Sequence, residues 1–474
     1  MNSGNTADLN GVAALYLRNS WPILFALAGA GLVCGLVLLF PESPAMVVGA
    51  LAFPMLVVFT LRLPSLQCIT LGPRTILALL VLRPLLDLGN SRDPSVSNSF
   101  LQIAYAGIFV IVLLAVGIKA MPASWLAQRP NQYLLLLVGL TILAWAIGGI
   151  RAGANGFFRT IWGLLVALLL GPLFRSREQI NAFVQTIFYS STLLLVVLAF
   201  NLQRGSYYDD VWRLGGQFGV PNALAAVTFV FFAYGLYVLG SNQNPHLKLL
   251  NLLVLALLAG TIVFTQSRTI GGLLLLSTCL WLWTQGHRKV LYMLGVPLLI
   301  LATTSNLFFG WRLLSGSATN ERTSEELLDL TGRAYLWAET WQSYVNVSWL
   351  HKIIGSGWGT VFANFSLSKL SEVSSVTESS FLWFLVGAGG LGLFVYCGYL
   401  ACVFYDSWTD FRGALDEFER RLAVLAMLAG LAFVVEGATT DLVLSPIASG
   451  HLYAILSIFV CRRMDLGNQR QSKI

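Results

Sequence analysis

Arg213 and Arg268 each stand beside an apolar run, and Arg333 lies in a long polar stretch; all three are cations placed where an anionic ligand would be met. The planar guanidinium fork suits a phosphate, which it holds through paired charge-assisted hydrogen bonds. Glu378 opens a later apolar run, while Glu436 and Asp441 stand near the end of the next one. A carboxylate in a partly apolar setting has its pKa raised and can take a proton from a hydroxyl. Glu378 is therefore the first candidate for a general base, with Glu436 and Asp441 as alternatives. Cations that stabilise a departing phosphate, beside a base that deprotonates an acceptor, suit transfer of a group from phosphate to a hydroxyl.

Each of these residues also has a purely structural reading. Arg213 can cap a loop or snorkel, and Arg268 can satisfy carbonyls at a tight turn. Arg333 can open a helix capped by Thr331, with Leu330, Ala334, Trp337, Trp341 and Tyr344 on one apolar stripe that packs or meets a membrane surface. Glu378 can be a first-turn carboxylate favoured by the helix dipole. Gly355, Gly357 and Gly359 read as a glycine-rich turn ahead of a phosphate cradle.

Metal chemistry finds no ligand pattern. His246, His287, His351 and His451 form no HExxH, and Asp209-Asp210 lacks a known ligand spacing. The six cysteines include no CxxC pair, so neither a thiolate metal site nor a disulfide framework is indicated. No metal and no cofactor are expected.

The elements that must position these groups follow from composition. Only 11% of the 474 residues are charged and 56% are hydrophobic, with a mean hydropathy of +0.73. Apolar runs of roughly 20 residues, each able to cross a hydrocarbon core of about 30 Å, recur from Trp21 onward. An all-α polytopic membrane protein is expected, with about fourteen spans near 21–40, 45–62, 74–88, 98–117, 132–150, 156–174, 182–200, 219–240, 247–265, 269–285, 290–306, 378–404, 422–436 and 444–461. The first span lacks a small-residue cleavage site and is expected to remain as a helix. The chain divides into N-terminal transmembrane helices (1–306), a large periplasmic loop with an amphipathic helix (307–377), and C-terminal transmembrane helices with a cytoplasmic tail (378–474).

With both termini cytoplasmic, every inner loop carries at least one Lys or Arg, as the positive-inside rule requires. The net charge of +7 is then a topology signal, and nucleic acid is not an expected partner. The basic residues left on the outer side, among them Arg151, Arg204, Arg213, Arg268, Arg312, Arg322 and Arg333, run against that preference and mark a site for an anion.

Arg213-Leu-Gly-Gly-Gln-Phe-Gly-Val-Pro221-Asn222, Ser267-Arg268 with Gly271-Gly272, Thr331-Gly332-Arg333 with Trp337, Gly355-Ser-Gly-Trp-Gly359, and Glu378-Ser379-Ser380 with Gly389 and Gly392 occur in this order. The series, over about 213–400, resembles the bacterial O-antigen polymerase and O-antigen ligase superfamily. The first 200 residues match it in hydropathy alone.

That resemblance implies a membrane-embedded type C glycosyltransferase of the bacterial inner membrane. Its donor would be a glycan carried on undecaprenyl diphosphate, and its acceptor a glycan or lipid hydroxyl; a chain-length regulator is a further partner the resemblance admits. Arg213, Arg268 and Arg333 would bind the diphosphate, and Glu378 would be the base. Ligases carry His at the position of Glu378 and Asn or Ser at that of Ser379, so the carboxylate favours the polymerase branch, which would extend a lipid-linked O-antigen or exopolysaccharide. O-antigen ligation and a polysaccharide flippase or transporter are the alternatives, the last disfavoured because the polar residues gather at one face.

Overall fold

The computed structural model describes residues 68–86, 97–149, 154–200, 205–208, 211–216, 221–241, 245–287, 333–358, 379–414, 416–439, 442 and 446–471. Its helices are α1 (Leu71–Leu86), α2 (Ser97–Ala120), α3 (Ala123–Leu126), α4 (Arg129–Ile147), α5 (Ala154–Leu169), α6 (Arg177–Phe200), α7 (Pro221–Ser241), α8 (Pro245–Thr265), α9 (Arg268–Thr284), α10 (Arg333–Asn346), α11 (Trp349–Ile354), α12 (Ser380–Gly413), α13 (Glu417–Thr439) and α14 (Pro446–Gln471). Each span expected within the described residues coincides with one of these helices. The spans expected at 21–40, 45–62 and 290–306 lie outside them.

The molecule is an α-helical membrane protein. Among the described residues, α4, α7, α8, α12 and α13 are long and apolar enough to cross a bilayer. Helix α7 is apolar all round and buried along almost its whole length, the mark of a central helix. Helix α8 buries one face and exposes Leu249, Leu252, Leu253, Leu257 and Phe264 on the other. In a bilayer that exposed face meets lipid, where apolar side chains belong.

At one end of the bundle the arginines pair with acids. Arg177 of α6 meets Asp416 and, at 3.5 Å, Glu419; Arg462 of α14 meets Glu419 at 2.8 Å, and Arg463 meets Asp406 at 2.7 Å. The Phe418 ring lies between the guanidinium groups of Arg177 and Arg462, at 5.3 and 5.9 Å. Partial burial works against the Asp416 carboxylate, but backbone N–H bonds from Glu419 and Phe418 and the Arg177 guanidinium outweigh it and hold its pKa below the usual value.

Two features depart from a plain bundle. A two-stranded antiparallel hairpin, β1 (Gly205–Tyr208) and β2 (Val211–Leu214), precedes α7, with Ser206 opposite Arg213. Helix α12 is broken at Gly389, whose φ of 74° and ψ of −176° are non-helical. The segment after α11 fills that break: Ser356 N donates to Val386 O at 2.9 Å and Gly357 N to Gly387 O at 3.1 Å. Gly355, at φ 91°, comes so close that a Cβ there would stand 2.1 Å from Gly387 O. Trp358 follows, fully buried and stacked on Trp383 at 5.0 Å, its indole N–H donating to Thr141 O at 3.0 Å. Non-helical backbone within a helical membrane protein is tolerated where other protein groups satisfy it, and here backbone satisfies backbone.

Candidate functional site

Three separated segments meet around Arg213. The hairpin carries its guanidinium to the junction of α7 and α8, where Nε donates to Thr265 O and Nη2 to Asn222 Oδ1, both at 3.0 Å. Asn222 is in the first turn of α7 and Thr265 ends α8. At least two of the five Arg213 donors thus face protein acceptors, so the residue fixes the relation between these two helix ends.

The reversal from α8 to α9 takes two residues. Gln266 adopts a left-handed conformation at φ 52°, rare for a residue with a Cβ and costing about 1–2 kcal/mol. Its N–H donates to Val263 O at 2.9 Å, Ser267 N donates to Thr265 Oγ1 at 3.3 Å, and Gly271 N returns to Ser267 O at 2.8 Å. Ser267 is buried, and its extended backbone hands over to α9 at Arg268. Arg268 is therefore the first residue of a helix, at the positive end of its dipole.

The carboxylates come from neighbouring helices. Glu436 lies near the end of α13 and is 3% exposed. The next residue, Gly437, accepts from Ser379 Oγ at 3.3 Å. Ser379 is the N-cap of α12, its hydroxyl also accepting from Leu382 N at 3.5 Å. Glu378 itself lies outside the described residues, as does Asp441. The reading of Glu378 as a first-turn carboxylate therefore also falls outside the described residues, which resume at Ser379.

These two groups occupy the same end of the bundle. Helices α7, α9 and α13 pack together, and Arg421 near the start of α13 bonds Gly240 O near the end of α7. The two helices are thus antiparallel, and the end of α13 with Glu436 lies level with the start of α7 and Asn222.

The other expected site residues divide. Arg333 begins α10, as expected, while Thr331 lies outside the described residues. On the expected stripe Trp337 and Tyr344 are half-buried, Tyr344 donating to Lys352 O at 2.9 Å, and Trp341 is exposed. Gly355 and Gly357 belong to the wedge in α12, and the N–H groups of Ser356 and Gly357 bond its carbonyls. This is the glycine-rich turn, and a phosphate cradle from those amides is excluded; Gly359 lies outside the described residues. Among the described residues no group of His, Cys, Asp and Glu is placed to hold a metal ion. Asn222, Thr265 and Gln266 are not marked as site residues by the sequence, although Asn222 stands in the Pro221-Asn222 motif. Compared with family models and with curated proteins, the chain matches none of them.

Proposed function

We propose that this protein is a metal-independent, type C-like glycosyltransferase with fourteen membrane spans and cytoplasmic termini, acting at the outer face of the bacterial inner membrane. It polymerises oligosaccharide units carried on undecaprenyl diphosphate. The observation that carries the reading is the bridge from Arg213 to Asn222 and Thr265, which ties the first motif of the resemblance to the residue two before Ser267-Arg268, the second.

In the proposed reaction a hydroxyl of the acceptor glycan attacks the anomeric carbon of the donor. The new glycosidic C–O bond forms as the bond to the diphosphate breaks, and undecaprenyl diphosphate leaves with the electron pair. Arg268, at the start of α9, neutralises the charge that develops on it, with Arg333 as a second cation. Arg213 holds the turn that presents Arg268. The hydroxyl proton passes to Glu378, or to Glu436 on the adjoining helix end.

Ligation to a lipid acceptor uses the same donor chemistry and differs in the hydroxyl that attacks. The broken α12 is the feature a transporter reading would use, but its exposed carbonyls bond the Ser356 and Gly357 backbone. Purified protein supplied with a lipid-linked repeat unit tests the proposal. Formation of a ladder of longer lipid-linked glycans is expected, and an unchanged donor would overturn it.

A further inference from the structure

Arg421 stands at the arginine-rich end of the bundle, near the start of α13. Arg177, Arg420, Arg462 and Arg463 each meet a carboxylate. Arg421, one residue from Arg420, meets none among the described residues. Its Nη1 donates to Gly240 O at the end of α7, and its guanidinium lies 5.7 Å from the Tyr237 ring centre. Its Nε is buried without a hydrogen-bond partner among the described residues, and so is Nε1 of Trp281 on α9.

Both residues line one shallow recess between α7, α9 and α13, together with Tyr237, Gln285, Leu425 and Leu428. A buried donor left unsatisfied costs about 1–3 kcal/mol, so two in one recess beside the Arg421 charge describe a site for an acceptor with negative charge. Leu425 and Leu428, one and two turns along α13 from Arg421, make the lining beyond the cation apolar. The recess therefore suits an anion attached to a hydrocarbon.

Its depth fits the same ligand. Trp283, two residues beyond Trp281, stacks on Trp408 with ring centres 6.0 Å apart and planes 6° apart, and lies 5.7 Å from Phe411. Tryptophans cluster where a bilayer meets water. The level of Trp281 and Arg421 is then the level of lipid headgroups. Cationic recesses between helices on this side of a membrane hold lipid phosphates.

We infer that the recess between α7, α9 and α13 binds the phosphodiester of an anionic phospholipid through Arg421 and Trp281. The site lies at the opposite end of α7 and α13 from Asn222 and Glu436 and stands independently of the transfer chemistry.

The test uses purified, delipidated full-length protein in detergent, with dioleoyl phosphatidylglycerol as probe and bound lipid counted by native mass spectrometry. Arg421→Gln should lower retention about tenfold or more, the effect of losing a charge-assisted bond. Trp281→Phe keeps the aromatic body and the Arg421–Gly240 bond, and should lower retention severalfold. Arg412→Gln removes an exposed arginine at the same end and should leave retention unchanged. Inorganic phosphate in excess should not displace the lipid. Wild-type retention in both Arg421→Gln and Trp281→Phe overturns the proposal. An equal loss in Arg412→Gln also overturns it, because the attraction is then diffuse, and displacement by inorganic phosphate does so by making free phosphate the ligand.

Discussion

Ser379 Oγ donates to Gly437 O at 3.3 Å and so ties the start of α12 to the end of α13. The contact joins the residue that follows Glu378 to the residue that follows Glu436. The two carboxylates singled out as bases thus belong to segments in direct contact, and they are tested as a pair. Glu378→Gln keeps size and hydrogen bonding but removes proton-accepting capacity, so glycan transfer should fall about 100- to 10,000-fold. If Glu436 serves instead, that loss moves to Glu436→Gln. The readout is polymer formed from a purified lipid-linked repeat unit at matched protein levels. Ser379→Ala should cost about 0.5–2 kcal/mol through loss of the cap, measured by thermal unfolding in detergent.

Arg213→Lys keeps the charge but cannot span Thr265 O and Asn222 Oδ1 with a planar fork. A loss of roughly 1.5–3 kcal/mol per bond to an ionised group corresponds to a fall in transfer of about ten- to a hundredfold. Asn222→Ala should reproduce part of that fall, and the double variant should lose less than the sum because the two residues share one bond. Full additivity in the rates would separate Asn222 from Arg213.

Gly355→Ala places a methyl 2.1 Å from Gly387 O at a φ of 91°. Overpacking of about 1–3 kcal/mol adds to left-handed strain of about 1–2 kcal/mol, so a marked drop in thermal stability is expected. Gly139→Ala on α4 meets nothing within 4 Å and should leave stability unchanged or slightly raised. Melting temperatures in the same detergent compare the two.

The pH dependence of the Arg177–Asp416 pair has a definite sign. The folded-state pKa of Asp416 is lowered from 3.8, so its contribution is complete above that value and is lost as pH falls through the lowered one. Both partners are substantially exposed, so the contribution is small, about 0.2–1 kcal/mol. Asp416→Asn should be slightly less stable than wild type near neutral pH. The difference should vanish at acid pH, and a gap that persisted there would assign it to something other than the ionised carboxylate.

Orientation is tested by labelling. A cysteine at Gly413, at the end of α12, should stay unmodified by an impermeant maleimide in cells with a permeabilised outer membrane, whereas one at Thr319 should react. Labelling at Gly413 would invert the topology.

The helices were legible in the sequence because apolar runs such as Leu247–Thr265 have one stable solution in lipid, whatever their neighbours do. The gathering of arginines at one end was legible too, as a rule about translocation. Their partners were not, since Arg177 finds Asp416 across 239 positions. The hairpin escaped because a four-residue strand on each side of Asp209-Asp210 is short and sits between two long helical signals, although Ser-Tyr-Tyr and Val-Trp-Arg carry strand-forming residues. The break at Gly389 escaped for a different reason: a glycine within an apolar run is compatible with a straight helix, and only the arrival of Gly355–Trp358 distinguishes the two. Arg213 was legible as a cation against the topology preference, but its geometric role depends on Thr265 and Asn222, which carry no charge to betray it.

The wedge at Gly389 also decides where this protein can be cut. A fragment taken from 307–377 would carry Trp358 with no Trp383 to stack on and no Thr141 carbonyl for its indole N–H, and the amides of Ser356 and Gly357 would lose their acceptors. Residues 355–358 of that segment are thus built into the bundle and are not part of a detachable module. Chimeras that exchange this segment between related chains should place their junction before α10, leaving 333–358 with the helix it completes.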